Sequence, residues 1–268
     1  MPRRRANKKP KVNHPEIQNE QLGLVSDATG PMASDINPDS RYPNPGIQGR
    51  RFRPDLEYPV SYSPEKLEVS RGDLVLLACP YCDPCPCCGE IEPHKNEIVI
   101  AFDGGCWNNG KPGALSSIGV YVGDSSQYNL ACTLGQHDQH TSQRAELEAC
   151  RQALLAAIGI RSSWVSTEPN NKLSVVILKS DSEYVVRGVT EWLPKWKKNG
   201  FKNSGGLPVA NVQQLKAIDN LIEQLEQYIQ VAFWLVPRAL NQQADNMASY
   251  AVLYDGEGAD VLRRAGDF

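Results

Sequence analysis

Asn96-Glu97-Ile98-Val99-Ile100-Ala101-Phe102-Asp103-Gly104-Gly105 is the stretch on which the reading of the fold turns. From Glu97 to Phe102 the side chains are almost continuously apolar, which marks a central strand buried on both faces rather than a half-exposed one. The run stops at an aspartate, so Asp103 is expected at the strand's end. Working downstream, Leu115–Val122 and Tyr128–Leu134 read as two further strands separated by glycines, as in a meander. Thr141–Ile158 places Ala145, Ala149, Cys150, Ala153, Leu154, Ala157 and Ile158 on one helical stripe behind a Thr/Ser start signal. Leu173–Leu178 is a second strand of the buried type. Thr190–Lys198 and Val209–Tyr228 read as helices, with Thr190 the expected N-cap so that Pro194 falls in the first turn, where amides have no intrahelical partner. Val231–Val236 is a last strand and Asn241–Leu253 a last helix. The predicted class is α/β: a five-stranded mixed sheet, its first three strands antiparallel, flanked by helices.

Upstream the pattern fades. Residues 1–65 open with MPRRRANKKPK and continue with scattered Pro, Asn, Asp, Ser and Gly. Such a stretch buries too little apolar surface to offset its ordering entropy, so a disordered tail is expected. Its basic start reads as a solvated terminus, a nuclear address or a loose phosphate-binding arm. Residues 66–95 form a Cys-rich extension, with a short strand pair predicted around Arg71-Gly72-Asp73. The main domain is expected over 96–254, followed by a C-terminal tail at 255–268.

Composition excludes little. The chain has 268 residues and a formal net charge of −3, which does not argue against a nucleic-acid partner because a groove needs only a local positive stripe. No apolar run approaches the roughly 20 residues of a membrane helix, so no membrane is expected. The N-terminus lacks the apolar stretch of a secretory signal, which points to an intracellular protein, in nucleus or cytoplasm rather than mitochondrion. Of eight cysteines, five crowd between Cys79 and Cys88, unlike a disulfide framework that staples distant loops. Cys79, Cys82, Cys85 and Cys88 have the spacing of paired zinc ligands, with Cys87 between them and His94 nearby. No second ligand pair follows a dozen residues later, and three prolines restrict the loop. Free or redox-labile thiols are therefore the competing reading, and an iron–sulfur pattern has its fourth ligand out of register. Cys132 and Cys150 read as core residues.

Four acids sit where acids are hard to explain: Asp103 and Asp181 at two buried strand ends, Glu146 and Asp245 in the first turns of two helices. Taken singly, each reads as a turn former or helix cap. Taken together, with the two strands parallel neighbours, they converge at the carboxyl end of a sheet, where open α/β folds place their sites. Four clustered carboxylates cannot all ionise without cations. Hard divalent ions such as Mg²⁺ or Mn²⁺ suit oxygen ligands, and a pair of them roughly 4 Å apart suits phosphodiester hydrolysis.

These residues lie in segments that resemble the type 1 ribonuclease H family, its cellular eukaryotic branch in particular, in order over about residues 97–253. DGGCWNNG resembles its first-strand motif and TSQRAELEA the motif with the catalytic glutamate. SDSEYVVRGVTEWLPKWKKNGFKNSGGLPVAN resembles the aspartate strand, handle and substrate channel, and VPRALNQQADNMA the last catalytic helix. The resemblance implies a ribonuclease H-like fold and a monomeric endonuclease that cleaves the RNA strand of RNA–DNA hybrids with two Mg²⁺ ions, leaving 5′-phosphate and 3′-hydroxyl ends. It matches Asp103, Glu146, Asp181 and Asp245 to the metal-binding carboxylates. Asn109, Ser142 and Gln143, with Cys106 near them, match the positions that read RNA 2′-hydroxyls. Thr141 and Asn211 match a phosphate pocket for the DNA strand, and Trp192, Trp196 and Ser204 the DNA channel. Lys195, Lys197, Lys198 and Lys202 surround those tryptophans, as in a phosphate-tracking groove.

The chain departs from the family twice. The family often has a histidine in the loop before the last helix; here Val236–Asn241 is short and has none, leaving Arg238 and Asn241 to contact phosphate. Gln139-His140 stand where the phosphate pocket often carries an arginine. Rival readings are a catalytically weak hybrid-binding module, a zinc-knot interaction protein with a vestigial domain, and a domain derived from a retroelement.

Overall fold

Successive side chains of the longest strand point to opposite faces of the sheet, and both faces are buried along its centre. The computed structural model describes residues 47–59, 62–135, 138–167 and 172–253, and the basic N-terminal arm and the C-terminal tail lie outside them. Nine strands are found among these residues: β1 (Ile47–Gln48), β2 (Arg51–Phe52), β3 (Glu68–Arg71), β4 (Leu74–Ala78), β5 (Pro93–Trp107), β6 (Leu115–Tyr121), β7 (Leu130–Thr133), β8 (Val175–Ser180) and β9 (Gln230–Leu235). The helices are α1 (Ser142–Thr167), α2 (Glu183–Arg187), α3 (Leu193–Asn199), α4 (Val212–Glu226) and α5 (Gln242–Leu253).

The five predicted strands are β5 to β9, and the expected mixed sheet is present. β5, β6 and β7 form an antiparallel meander, while β8 runs parallel to both β5 and β9. Ile98, Ile100 and Phe102 of β5 face a core shared with α1, α4 and the α2–α3 segment. Val99 faces the opposite way, into a second core with Ile177 and Trp234. A strand buried on both faces must be apolar at every position, which is the pattern read in the sequence.

The sheet is larger than predicted because residues upstream of the expected domain add strands at the β9 edge and beside the N-terminal half of β5. β3 and β4 form the predicted hairpin, and β4 pairs antiparallel with the N-terminal half of β5. At the β9 edge β2 adds in parallel, with Arg51 opposite Phe233. The tail expected through residue 65 is thus corrected for 47–59 and 62–65. Phe52 and Tyr58 and the neighbouring Leu67 bury their rings and methyls in the second core. A segment with few apolar residues orders when each of them finds a preformed face. Arg50 adds ion pairs to Asp219 (3.3 Å) and Glu226 (2.7 Å) of α4.

Two further readings are corrected. β5 does not end at Asp103 but continues to Trp107, because Gly104 and Gly105 keep pairing with Ile118 and Ser117 of β6. Thr190 is not an N-cap. The helix starts after Ser182, whose Oγ accepts the Val185 N–H at 3.2 Å, and runs on to Asn199 through a π-turn at Gly188–Trp192. That wider turn, with Leu193 N–H donating to the Gly188 carbonyl, admits Pro194 without breaking the helix. Thr190 Oγ1 instead donates to the Val186 carbonyl at 2.7 Å.

Candidate active site

Parallel pairing of β5 with β8, in register from Glu97–Val175 to Ala101–Lys179, carries two aspartates to the same end of the sheet. Asp103 lies two residues past Ala101, and Asp181 two residues past Lys179. Two helices then approach from opposite faces, each admitted by a missing side chain. A Cβ on Gly104 would stand 2.2 Å from the Ala145 carbonyl carbon of α1, and one on Gly119 2.2 Å from the Ala244 carbonyl oxygen of α5. Those contacts set Glu146 and Asp245 beside the aspartates. All four carboxylates line one open cleft of about 540 Å³, together with Cys106, Trp107, Ser142, Ser182 and Arg238.

Gly104→Ala is therefore expected to push α1 outward, at about 1–3 kcal/mol for an overpacked contact. Glu146 moves with the helix, so activity should fall by at least about tenfold. Equal Tm and equal rates in the variant would show that the close approach is not needed.

The electrostatics of the cleft follow from crowding. Burial raises the Asp103 carboxyl to about 7, reinforced by the negative charges of Asp181 and Asp245 and opposed by the Gly104 N–H and Arg238. Glu146 is also raised, first by burial and then by Asp181, against a hydrogen bond from Ser182 Oγ to its Oε2 at 2.8 Å. An all-oxygen set that holds a proton because it is buried and its members repel one another is well matched to hard divalent cations, which would take the proton's place. The donor set fits such ions.

Two supporting residues escaped the sequence reading. Asn241 is fully buried; its Nδ2 donates to Asp181 Oδ1 at 2.9 Å and to the Phe102 carbonyl at 3.1 Å, tying the ends of β5 and β8 together. Its expected contact with phosphate is ruled out by that burial. Ser182 links the start of α2 to Glu146, and its place as N-cap directly after Asp181 was the available signal. Arg238, exposed at the rim, pairs with Asp245. Trp107, also exposed, was overlooked because nothing in its sequence neighbourhood marks it as part of the cleft wall.

The predicted substrate residues divide into groups. Cys106 and Ser142 line the cleft, whereas Asn109 and Gln143 are exposed next to it in sequence, on the turn after β5 and the first turn of α1. Thr141 Oγ1 accepts the Arg144 N–H at 3.3 Å, which makes it a cap for α1. Along the helix leaving Asp181, Tyr184, Trp192 and Trp196 form a row with ring centroids 6.2 and 5.7 Å apart. Asn211 Nδ2 reaches the Tyr184 hydroxyl at 3.4 Å. Both tryptophans are half-buried, neither core nor free, and Ser204, Lys195, Lys198 and Lys202 are exposed. Lys197 is already engaged by Asp219 (2.7 Å) and Glu223 (2.5 Å), so it is a poorer phosphate ligand than its neighbours.

The four cysteines expected to act together are split. Cys79 is hydrogen-bonded to Cys82 and to His94, which is held by Glu97 at 3.0 Å. Among the described residues, the thiols that converge are Cys85, Cys87 and Cys88. The loop folds back at Gly89, whose N–H donates to the Cys85 carbonyl at 2.7 Å, and this brings neighbouring cysteines together rather than the two spaced pairs.

A family model described as RNase H matches residues 95–252. The ribonuclease H of Schizosaccharomyces pombe is 33% identical over 150 residues, covering 56% of this chain and 51% of that protein. That of Thermosynechococcus vestitus is 36% identical over 130 residues, 48% of this chain and 73% of that protein. That of Pseudomonas paraeruginosa is 31% identical over 158 residues, 59% of this chain and 95% of that protein. The chain thus spans about half the length of the fission yeast relative. Among solved structures, the foamy viral protease–reverse transcriptase in complex with dsDNA is 26% identical at a TM-score of 0.44, covering 57% of this chain and 92% of that one.

Proposed function

The chain belongs to the ribonuclease H family, and we propose that it is an endonuclease that hydrolyses the RNA strand of RNA–DNA hybrids. The observation that carries this reading is the convergence of Asp103, Glu146, Asp181 and Asp245, from two strands and two helices, on one cleft. A pure hybrid binder gains nothing from negative charge clustered beside phosphates. Those four carboxylates are the residues to hold two divalent ions, Mg²⁺ or Mn²⁺. Bound there, the ions would acidify the attacking water and stabilise the leaving oxygen of the scissile phosphodiester.

The remaining work falls to the chain's own side chains. Asn241 and Ser182 fix the orientations of Asp181 and Glu146, and preorganisation of that kind lowers the cost of holding the metal and the phosphate in register. Cys106 and Ser142 at the rim, with Asn109 and Gln143 beside them, are assigned to the RNA strand. Short hydroxyl and amide groups can both give to and accept from a 2′-hydroxyl, the group that distinguishes RNA from DNA. Thr141 and Asn211 are assigned to a DNA phosphate, and Trp192, Trp196 and Ser204 to the DNA backbone, with Lys195, Lys198 and Lys202 supplying charge. Trp107 offers an exposed ring to the nucleic acid at the cleft wall.

The test is cleavage of an end-labelled hybrid in Mg²⁺, with an RNA–RNA duplex and EDTA as controls. Cleavage of the hybrid alone, lost on chelation, is expected. Hybrid binding without cleavage under every metal condition would reduce the chain to a binding module. The loop before α5 supplies a graded version of the same test. It carries no histidine for proton transfer, so a histidine loop inserted between Val236 and Asn241 should raise kcat by up to about 10²-fold, the lower end of general-acid catalysis. A wild type that is already fast and gains nothing from the insertion would contradict this.

A further inference from the structure

The hairpin between β4 and β5 holds chemistry that hybrid cleavage does not use. Its base is closed by Cys79 N–H donating to the Glu92 carbonyl (2.8 Å) and its tip by Cys85 N–H donating to the Glu90 carbonyl (2.7 Å). At the tip the sulfurs of Cys85, Cys87 and Cys88 all lie within 4.8 Å of one another, with Cys85 Sγ and Cys87 Sγ 2.9 Å apart. The backbone N–H groups of Cys87 and Cys88 are directed at Cys85 Sγ. Amide donors aimed at a sulfur favour its thiolate, the form that binds metal.

We propose that Cys85, Cys87 and Cys88 form a three-thiolate site for one Zn²⁺ ion, with water or an external donor in the fourth position. Tetrahedral zinc with sulfurs at about 2.3 Å places those sulfurs roughly 3.8 Å from one another, a spacing this group reaches with small movements. A disulfide between the two exposed thiols, Cys87 and Cys88, fits less well. Cys87 and Cys88 are adjacent, with Cα atoms about 3.8 Å apart, short of the roughly 4.4 Å at which bridged pairs begin. Three thiolates so close repel one another, and a cation relieves that repulsion while three protons leave to solvent. Soft sulfur ligands select zinc over the Mg²⁺ or Mn²⁺ expected at the carboxylates. The tip is exposed at Cys87 and Cys88, so the ion has an entry path. The site would pin the loop that leads into β5, the strand that carries Asp103.

The experiment is a Cd²⁺ titration of the full chain, purified with reductant and chelator, followed by displacement with Zn²⁺. The ultraviolet sulfur-to-metal band is blind to metal held by carboxylates. One equivalent should produce the band, and Cys87→Ser should weaken affinity by at least about 100-fold. The Cys85→Ser/Cys87→Ser/Cys88→Ser variant should lose the band and still cleave hybrid. Absence of the band in the wild type would overturn the proposal. So would a band that survives the triple change and disappears in Cys79→Ser/Cys82→Ser. Should the triple variant fail to fold, alkylation of the wild type decides. Bound Cd²⁺ must protect Cys85, Cys87 and Cys88 more than Cys82, and equal labelling of all four would refute the site.

Discussion

Asp103→Asn is expected to abolish hybrid cleavage, by at least about 10³-fold, and at the same time to stabilise the metal-free protein. The first effect follows because an amide at the centre of the cleft would remove one negative ligand from the proposed cation site, whose charge balance would set both affinity and reactivity. The second follows from the cost of ionising Asp103. Its carboxyl is raised from an ordinary 3.8 to about 7 by burial and by Asp181 and Asp245. The folded protein therefore holds this proton more tightly than the unfolded chain does. The favourable contribution is fully present below about pH 4 and is lost as pH rises through 7. Asparagine resembles the protonated acid at every pH. In EDTA at pH 8 the variant should be more stable by on the order of 2–4 kcal/mol, at ~1.4 kcal/mol per tenfold in proton affinity, with the gap closing towards pH 4. Thermal unfolding at both pH values checks this, and a variant less stable than wild type at pH 8 would mean that Asp103 is not crowded by its neighbours. The same proton competes with Mg²⁺, so cleavage at limiting Mg²⁺ should decline as pH falls below about 7.

Glu68→Ala should be the most damaging single change outside the cleft. Lys179 sits on β8 two residues before Asp181 and is 1% exposed, yet its ammonium is bound to both carboxylate oxygens of Glu68, at 2.6 and 2.7 Å. Removing Glu68 strands a cation inside the second core, and breaking a buried pair from one side costs about 3–5 kcal/mol. Replacing both residues, Glu68→Leu with Lys179→Met, should be close to neutral, since the cost lies in the unpaired charge rather than in the lost attraction. Denaturant midpoints for the two singles and the double complete the cycle. If Glu68→Ala were as stable as wild type, the hairpin β3–β4 would be an ornament on the domain and not part of it.

That pair also shows where sequence reading stopped. Lys179 fell just past the predicted strand Leu173–Leu178, and Glu68 in an extension outside the predicted domain. They are 111 positions apart, and nothing local joins them. Asn241 is similar: its neighbours suggested a phosphate contact, while its burial beneath Asp181 makes it a brace. Residues 47–59 were read as tail because they offer few apolar side chains, yet Phe52 and Tyr58 find a sheet face already built by other segments. In the cysteine loop, spacing along the chain grouped Cys79, Cys82, Cys85 and Cys88 as possible zinc ligands, whereas the turn at Gly89 brings Cys85 together with Cys87 and Cys88.

By itself the sequence determined the five strands β5 to β9 and the order in which helices join them. Continuous apolarity marked β5 and β8 as two-sided strands, helical stripes marked α1 and α5, and four isolated acids marked the ends that face one another. These are short-range properties, written in periodicities of two and 3.6 residues. Only the tertiary structure decided that β5 runs on past Asp103, how closely α1 and α5 approach through Gly104 and Gly119, and that upstream chain joins the sheet at β9 and beside the first half of β5. Those outcomes depend on which surfaces are already occupied when a segment arrives, and occupancy belongs to the folded whole, not to any window of residues.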